Sequence, residues 1–401
     1  MDTQKQLRIL VIAPTPFFAD RGCHIRINEE CQAIIARGHI VKILTYGLGH
    51  TVAGLDIERI HHFSFYKKTA AGPSFFKIIL DGLLTLKTIR RIRSFKPDVI
   101  HAHLHEGVCI AWVARFLTGS RVPILFDAQG SLLAELRNFL RRTPNIFFSF
   151  MHLVEKWIFR VSQAIVVSSD SLRQLAHTQH LVPHNTPLLL AADSAEAAPV
   201  LTSEEKRILR EQYHVPSDAL TLMYCGGMTA DKGTNLLYGA VLPFFATHPS
   251  LHILWIGGPE DTIRAQAVRD GFADRMTFLG SQPFQHTARL SQLGDIAIDP
   301  KPPTSSQASG KMLSYMAIAL PIVTFDSANR DMIDSANFFA APATVEGLRA
   351  TILTAINTQP ETLSEIGKKN RAYLQEHFSW GNTAKVLEET YVEMCARSRN
   401  A

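Results

Sequence analysis

One pattern occurs twice in this chain and narrows its folds more than any other feature: an apolar run, a loop rich in glycine or proline, an amphipathic stretch, then another apolar run. The first copy starts with Leu7 to Ala13. A loop with Pro14, Pro16, Asp20 and Gly22 follows, then helical spacing from Ile25 to Ala36, a stop at Gly38, and a second run from Ile40 to Thr45. Apolar runs this short suit strands covered on both faces. Two of them joined through a helix run parallel, because a hairpin turn cannot make that connection. Shorter runs at Val99–Ile100, Ile124–Phe126 and Ala164–Val167 extend the series. The second copy starts at Leu220 with LTLMYC and the Gly226–Gly227 turn. It continues through Leu251–Ile256, Gly257–Gly258, Met276–Leu279 and Ile296–Ile298.

Between the two series, Ala191 to Pro199 is rich in Ala, Asp and Ser and reads as a linker, followed by a polar helix over Leu201 to His214. A chain of 401 residues is too long for one ordinary core and suits two domains of roughly 200 residues each. The expectation is an α/β protein of two Rossmann-like domains, residues 1–195 and 196–377, each a parallel sheet wrapped by helices.

Composition excludes several classes. At 46% hydrophobic and 19% charged residues the chain is globular. No apolar run approaches the ~18–20 uncharged residues of a membrane span. The apolar run near the N-terminus stops at Pro14 and lacks the basic start, long core and cleavage site of a signal peptide. Cys23, Cys31, Cys109, Cys225 and Cys395 are scattered, odd in number and free of any CxxC pair. They read as reduced thiols of a cytoplasmic protein, not as a disulfide frame or a zinc site. Charge is uneven: residues 1–190 hold 23 Lys and Arg against 13 Asp and Glu, a net +10, and the rest holds 18 against 23, a net −5. A basic first half points to an anionic partner. No basic stretch carries the interleaved aromatics of a nucleic-acid binder, so nucleic acid is not expected.

Chemistry concentrates in Asp299 to Asp326, DPKPPTSSQASGKMLSYMAIALPIVTFD. An apolar strand enters a loop of Pro, Ser and Thr. The loop opens a helix with Ser309, Gly310 and Lys311 in its first turn, and Pro321 leads into a strand from Ile322 to Phe325. Free backbone N–H groups and a Lys at a helix start are what a phosphate needs. Lys232 follows a strand and the Gly226–Gly227 turn and precedes a helix, so its ammonium can reach a diphosphate beside free amides. Elsewhere, HAHLHE puts His101, His103 and His105 on one face if the strand persists, with Glu106 beside them. The strand is expected to end near His101. That leaves His103 facing a cleft and no metal site.

In this order and at these spacings the segments resemble the retaining family-4 glycosyltransferases, enzymes of the GT-B fold. LRILVIAPTPFFADRGCHIR and ARGHIVKILTY are similar to the family's first unit. KPDVIHAH (Lys96 to His103) is similar to one of its common phrases, AIVVSSDSLRQLA to the segment before its linker, and VPHN (Val182 to Asn185) to VIPNG. MYCGGMTADKGTNLLYGA resembles YVGRLxxxKGxxxLIxA, and KMLSYMAIALPIV keeps the frame of the donor-sugar loop. FSW, Phe378 to Trp380, resembles the approach to the family's last helix, which crosses back to the first domain; residues 378–401 would do so here. The resemblance implies two sheets facing across a cleft, with the acceptor domain first and the donor domain second.

It also implies a donor site of Gly22, Gly226, Gly227, Lys232, Ser306, Ser309, Gly310, Lys311 and Ser314, in which Lys232 and Lys311 stabilise the leaving diphosphate. The departures are specific. Gly227 stands where the family carries an Arg that shares the diphosphate with Lys, and Lys311 is its substitute. Ser306 and Ser314 stand in place of two Glu; a serine can hydrogen-bond a hydroxyl but is shorter and uncharged. On the acceptor side Gln129 stands where many relatives carry a His, beside His103. Asp127 is the ionisable group able to orient an acceptor hydroxyl or act as a weak base. Front-side transfer needs no strong base, because the leaving diphosphate can take the proton. No metal or cofactor is implied beyond a nucleoside-diphosphate sugar as co-substrate. The expected reaction moves a sugar, with retention, to a glycan or polyprenyl-linked acceptor in cell-surface polysaccharide or glycoconjugate synthesis. With the Arg and both Glu replaced, two other readings stay open: a non-catalytic GT-B protein that binds a nucleotide or a partner, and a sugar-nucleotide epimerase on the same fold.

Phe75 to Phe95, FFKIILDGLLTLKTIRRIRSF, has the spacing of a basic amphipathic helix. Phe76, Ile79, Leu80, Leu83, Leu84 and Leu86 share a side, while Lys77, Lys87, Arg90, Arg91 and Arg93 are balanced by Asp81 alone. Arg137, Arg141 and Arg142 precede a second apolar run, Ile146 to Met151. A basic residue near an anionic leaflet contributes about 1 kcal/mol. The expectation is reversible attachment to the cytoplasmic face of a membrane, where a lipid-linked acceptor is found.

Overall fold

The computed structural model describes residues 5–17, 22–64, 66, 74–140, 143–302, 309–326 and 330–400. The chain forms two compact units, Met1–Asp193 with Trp380–Ala401, and Ser194–Ser379. The first unit contains strands β1 (Arg8–Ala13), β2 (Ile40–Thr45), β3 (Ile57–Arg59), β4 (Val99–His103), β5 (Ile124–Ala128), β6 (Ala164–Val167) and β7 (Leu188–Leu190). Its helices are α1 (Gly22–Ala36), α2 (Phe75–Phe95), α3 (Leu104–Thr118), α4 (Leu132–Phe139), α5 (Asn145–Val161) and α6 (Asp170–Thr178), followed at the end of the chain by Trp380–Asn400. The strands form one parallel sheet in the order β3–β2–β1–β4–β5–β6–β7.

The central strands are buried on both faces, which is why they read as apolar runs and not as alternating ones. Leu10, Ile12, Ile100, Phe126 and Ile165 point to one side and pack with Leu80 and Leu84 of α2, Val108 of α3 and Ile158 of α5. Ile9, Val11, Val99, Leu125 and Val166 point to the other and pack with Ile27 and Ile34 of α1 and with Leu387 and Tyr391 of the terminal helix.

The second unit repeats the scheme with β8 (Leu220–Cys225), β9 (Leu251–Ile256), β10 (Met276–Phe278), β11 (Ile296–Asp299), β12 (Ile322–Phe325) and β13 (Phe338–Ala340). They form a parallel sheet in the order β10–β9–β8–β11–β12–β13. In each sheet the chain moves outward from a starting strand and then returns to its other side, so the order reverses between β1 and β4 and between β8 and β11. Open parallel sheets bind ligands outside the carboxyl ends of their strands at such a reversal. Among the described residues no helix is long and apolar enough to cross a membrane.

The α/β class and the two parallel sheets agree with the sequence reading. The end of β4 does not. β4 continues to His103, two residues past the expected end, because it pairs with β5 through His101↔Leu125 and His103↔Asp127.

Candidate functional site

At the reversal of the second sheet, the turn after β8 and the residues just past β11 lie near the start of helix Gly310–Ala317. Gly226 leaves β8 with φ 147°, and a Cβ there would stand 3.0 Å from Cδ of Lys311. A side chain at 226 would therefore crowd the stem of Lys311. Gly233 is more constrained. It has φ 75°, and a Cβ would fall 1.8 Å from the Pro300 carbonyl oxygen. That approach pins the short turn Ala230–Lys232 on the residue that follows β11.

Lys311 lies in the first turn of its helix with Nζ 2.8 Å from Oδ1 of the fully buried Asp299. Its ammonium also sits 4.8 Å from the centre of the Tyr224 ring, and the Tyr224 hydroxyl donates to the Gly227 carbonyl at 2.6 Å. Burial works against the charge on Lys311, but Asp299 and Tyr224 together outweigh it and lift the pKa above the ordinary lysine value. Lys232 is 40% exposed, with Nζ 3.1 Å from Oδ2 of Asp231.

The sequence reading passed over Lys301. Burial pushes its pKa down to about 8, and the ammonium groups of Lys232 and Lys311 add repulsion that Asp299 only partly offsets. Three lysines thus share one end of the second sheet. The signal that could have found Lys301 is its place two residues past a strand end at the chain reversal. Ser309 is buried at the cap of the helix, a Cβ at Gly310 would meet nothing within 4 Å among the described residues, and Ser314 is half-buried one turn beyond Lys311. Ser306 lies outside the described residues.

The first unit corrects the acceptor-side expectations for His103 and Asp127. His103 lies in the interior of the first unit. Strand β4 persists, so its period of two turns His101 and His103 to one side, where their rings stack 4.2 Å apart. His103 is fully buried, with Nδ1 2.8 Å from Oδ2 of Asp127. Asp127 is fully buried as well. Its Oδ2 accepts from Arg26 Nε at 2.9 Å and its Oδ1 from Arg26 Nη2 at 3.0 Å. Arg26 on α1 also holds Oε1 of Glu30 at 2.8 Å and Oδ1 of Asp193 at 2.9 Å.

Burial alone would raise the Asp127 pKa, but Arg26 and then His103 hold it well below the usual carboxylate range. Asp127 is therefore a paired carboxylate and not a weak base offered to an acceptor. Glu30 goes the other way, pushed up by burial against the pull of Arg26. His101 is pushed down by burial and then by His103, and its Nδ1 lies 2.8 Å from the Tyr391 hydroxyl. Gln129, half-buried just past β5, places Nε2 3.4 Å from both His103 Nδ1 and Asp127 Oδ2. Gly22 is exposed at the start of α1, and a Cβ there would meet nothing within 4 Å among the described residues. Sequence reasoning missed Arg26 and Glu30; the available signal was an i,i+4 charged pair amid the apolar Ile25, Ile27 and Ile34 of a core-facing helix.

The structure thus gathers His103, Asp127 and Gln129 in the first unit. It gathers Gly226, Gly227, Lys232, Ser309, Gly310 and Lys311 at one end of the second.

Residues 21–193 match the family described as "Glycosyl transferase 4-like domain", and residues 219–358 match "Glycosyl transferases group 1". The glycogen synthase of Mycobacterium tuberculosis is 23% identical over 419 residues, covering 96% of this chain and 94% of that protein. Sucrose-phosphate synthase from Thermosynechococcus elongatus superposes with a TM-score of 0.79 at 15% identity, over 98% of this chain and 100% of that one. Anabaena HepE in complex with UDP and glucose does so with a TM-score of 0.72 at 15% identity, over 97% and 100%. These structural likenesses establish a shared fold.

Proposed function

Since the chain belongs to the retaining GT-B glycosyltransferases that join a 4-like domain to a group 1 domain and use nucleotide sugars, we propose that its second unit binds a nucleoside-diphosphate sugar on Lys232, Lys301 and Lys311, and that the sugar passes with retention to a glycan or polyprenyl-linked acceptor recognised by the first unit. The observation that carries this reading is the lysine trio. An ammonium whose pKa is pushed to about 8 beside two others is relieved by two phosphates. The amide of Gly310 adds a donor at a helix start, and Ser314 supplies a hydroxyl that can hydrogen-bond the donor. Negative charge grows on the diphosphate as the glycosidic bond breaks, and fixed ammonium groups stabilise it. The lysines supply this charge themselves, so turnover requires no added divalent ion. On the acceptor side Gln129 is the half-buried member of its group, and His103 and Asp127 act as positioning residues behind it. The leaving diphosphate takes the acceptor proton.

A panel of UDP-, GDP- and ADP-sugars tests the reading by thermal shift and turnover, with UDP-sugars first because HepE was solved with UDP. A cleaved donor and a stabilised protein are expected. Stabilisation without turnover on any glycan or lipid-linked acceptor makes this a nucleotide-binding protein. A free product formed without acceptor makes it an epimerase. No stabilisation by any nucleotide removes the donor site.

A membrane acceptor fits the outer face of the first unit. Helix α2 divides differently from its spacing: Leu80 and Leu84 are core, while Phe76, Ile78, Ile79 and Leu86 are 48–72% exposed. Lys77 pairs with Glu106, and Arg91 and Lys87 approach Glu58, but Arg90 and Arg93 are exposed. The neighbouring α3 and α5 expose Phe116, Leu117, Ile146, Phe150 and Leu153. Arg137 is exposed, and Arg141 and Arg142 lie outside the described residues. Exposed apolar side chains together with exposed basic ones suit an anionic leaflet at the cytoplasmic face of a membrane. Binding to anionic but not neutral vesicles is expected, weakening with salt and reduced by Arg90→Ala with Arg93→Ala at unchanged nucleotide affinity. A protein that stays in the supernatant with anionic vesicles at low salt has a soluble acceptor instead.

A further inference from the structure

Strand β4 presents His101 and His103 to one side of the first sheet, and helix α1 places Glu30 against them. The side chains are 2%, 0% and 1% exposed. One nitrogen of each ring is occupied: His101 Nδ1 by the Tyr391 hydroxyl and His103 Nδ1 by Asp127 Oδ2, both at 2.8 Å. An ionised carboxylate can only accept, so Nδ1 of His103 carries the proton and Nε2 can keep its lone pair. Both Nε2 atoms and Oε2 of Glu30 lack a hydrogen-bond partner among the described residues. Each Nε2 is 4.0 Å from that oxygen, too far for a hydrogen bond. Three buried acceptor-capable atoms therefore converge on one point, an arrangement that is costly unless something satisfies them. The formal charges point the same way. Among the described residues, Arg26 is the one Lys or Arg paired within the cluster, against the carboxylates of Glu30, Asp127 and Asp193.

We propose that Glu30, His101 and His103 form a binding site for one divalent transition-metal ion of the zinc class, which ties helix α1 to strand β4. Two imidazole nitrogens and a carboxylate oxygen suit that class of ion. Bonds of roughly 2.0–2.1 Å to each atom would close the 4.0 Å gaps by about half an ångström. Two positive charges match the two carboxylates that Arg26 leaves unbalanced. Asp127 and Tyr391 hold the far nitrogens as outer partners, the arrangement that fixes ring orientation around a bound metal. Arg26 takes Oε1 of Glu30 and leaves Oε2 for the ion. With every ligand buried, the ion is structural and is loaded as the unit folds. This departs from the sequence expectation of no metal, and the cause is the two extra residues of β4.

The test uses the untagged full-length protein. One preparation is expressed in zinc-supplemented medium and its metal content measured by mass spectrometry. A second is refolded with excess Co²⁺, desalted and examined by visible absorption. Near-stoichiometric zinc that survives brief EDTA, and the absorption of protein-bound Co²⁺, are expected. Both should be lost in a His101→Gln, His103→Gln double variant and kept in His62→Gln, which alters an exposed histidine. Metal well below one ion per chain in both wild-type preparations overturns the site, whether or not the variants fold. Metal retained by the double variant also overturns it.

Discussion

Replacing Lys301 by Met should move stability and nucleotide affinity in opposite directions. In the folded unit the pKa of Lys301 falls from 10.5 to about 8, first through burial and then through Lys232. That drop corresponds to about 3 kcal/mol at neutral pH. Met keeps most of the aliphatic stem and removes the charge, so the variant without ligand should gain about 1–3 kcal/mol at pH 7. The sign follows from linkage. The folded-state pKa lies below the unfolded one, so the penalty is complete below pH 8. It shrinks as the pH rises toward 10.5, where the unfolded chain also loses its proton. The advantage of the variant should therefore be large at pH 7 and small at pH 10. A bound diphosphate reverses the balance. Losing a charge-assisted contact costs about 1.5–3 kcal/mol, or roughly a 10- to 100-fold weaker nucleotide. Urea denaturation at both pH values, with calorimetric titration of UDP, GDP and ADP, reads both effects. A variant less stable than wild type at pH 7, or one that binds nucleotide equally well, refutes the reasoning.

Lys232→Ala should lower donor turnover at least about tenfold with little change in Tm, because the side chain is 40% exposed; normal kinetics would remove Lys232 from the diphosphate site. Arg26→Met strands Glu30, Asp127 and Asp193 and should cost about 3–5 kcal/mol in denaturant unfolding. An unchanged midpoint would show that the cluster does not depend on its guanidinium. Gly233→Ala forces a Cβ to 1.8 Å from the Pro300 carbonyl at φ 75°, a backbone strain of about 1–3 kcal/mol. It should lower both Tm and nucleotide affinity, and a variant that keeps both shows that the turn before it does not need to rest on Pro300.

Much of the architecture was legible because its signals are local. β2, β8 and β9 begin and end where glycines or turn residues bound an apolar run. Lys232 and Lys311 stood out because a strand end, a glycine turn and a helix start are contiguous in the chain. The three-residue strands β3, β7 and β13 were not picked out, whereas β10, equally short, was read from the run that ends at Leu279 before Gly280.

The group of His103, Asp127 and Gln129 shows where local reading stops. Whether His103 faces solvent or core depends on two more residues of strand, and β5 decides that by pairing Asp127 with His103. Arg26 reads as an oddity on an apolar helix until the fold brings it to Asp127, 101 positions away, and to Asp193, 167 positions away. Lys301 is an ordinary loop lysine until the fold buries it beside Lys232 and Lys311. Hydrophobic periodicity and turn chemistry act over a few residues, so the chain alone determined two α/β units and pointed to the strand-end lysines proposed here for phosphate binding. Burial and Coulomb interactions act through space, so the charge state and accessibility of each site residue were decided only when distant segments came together.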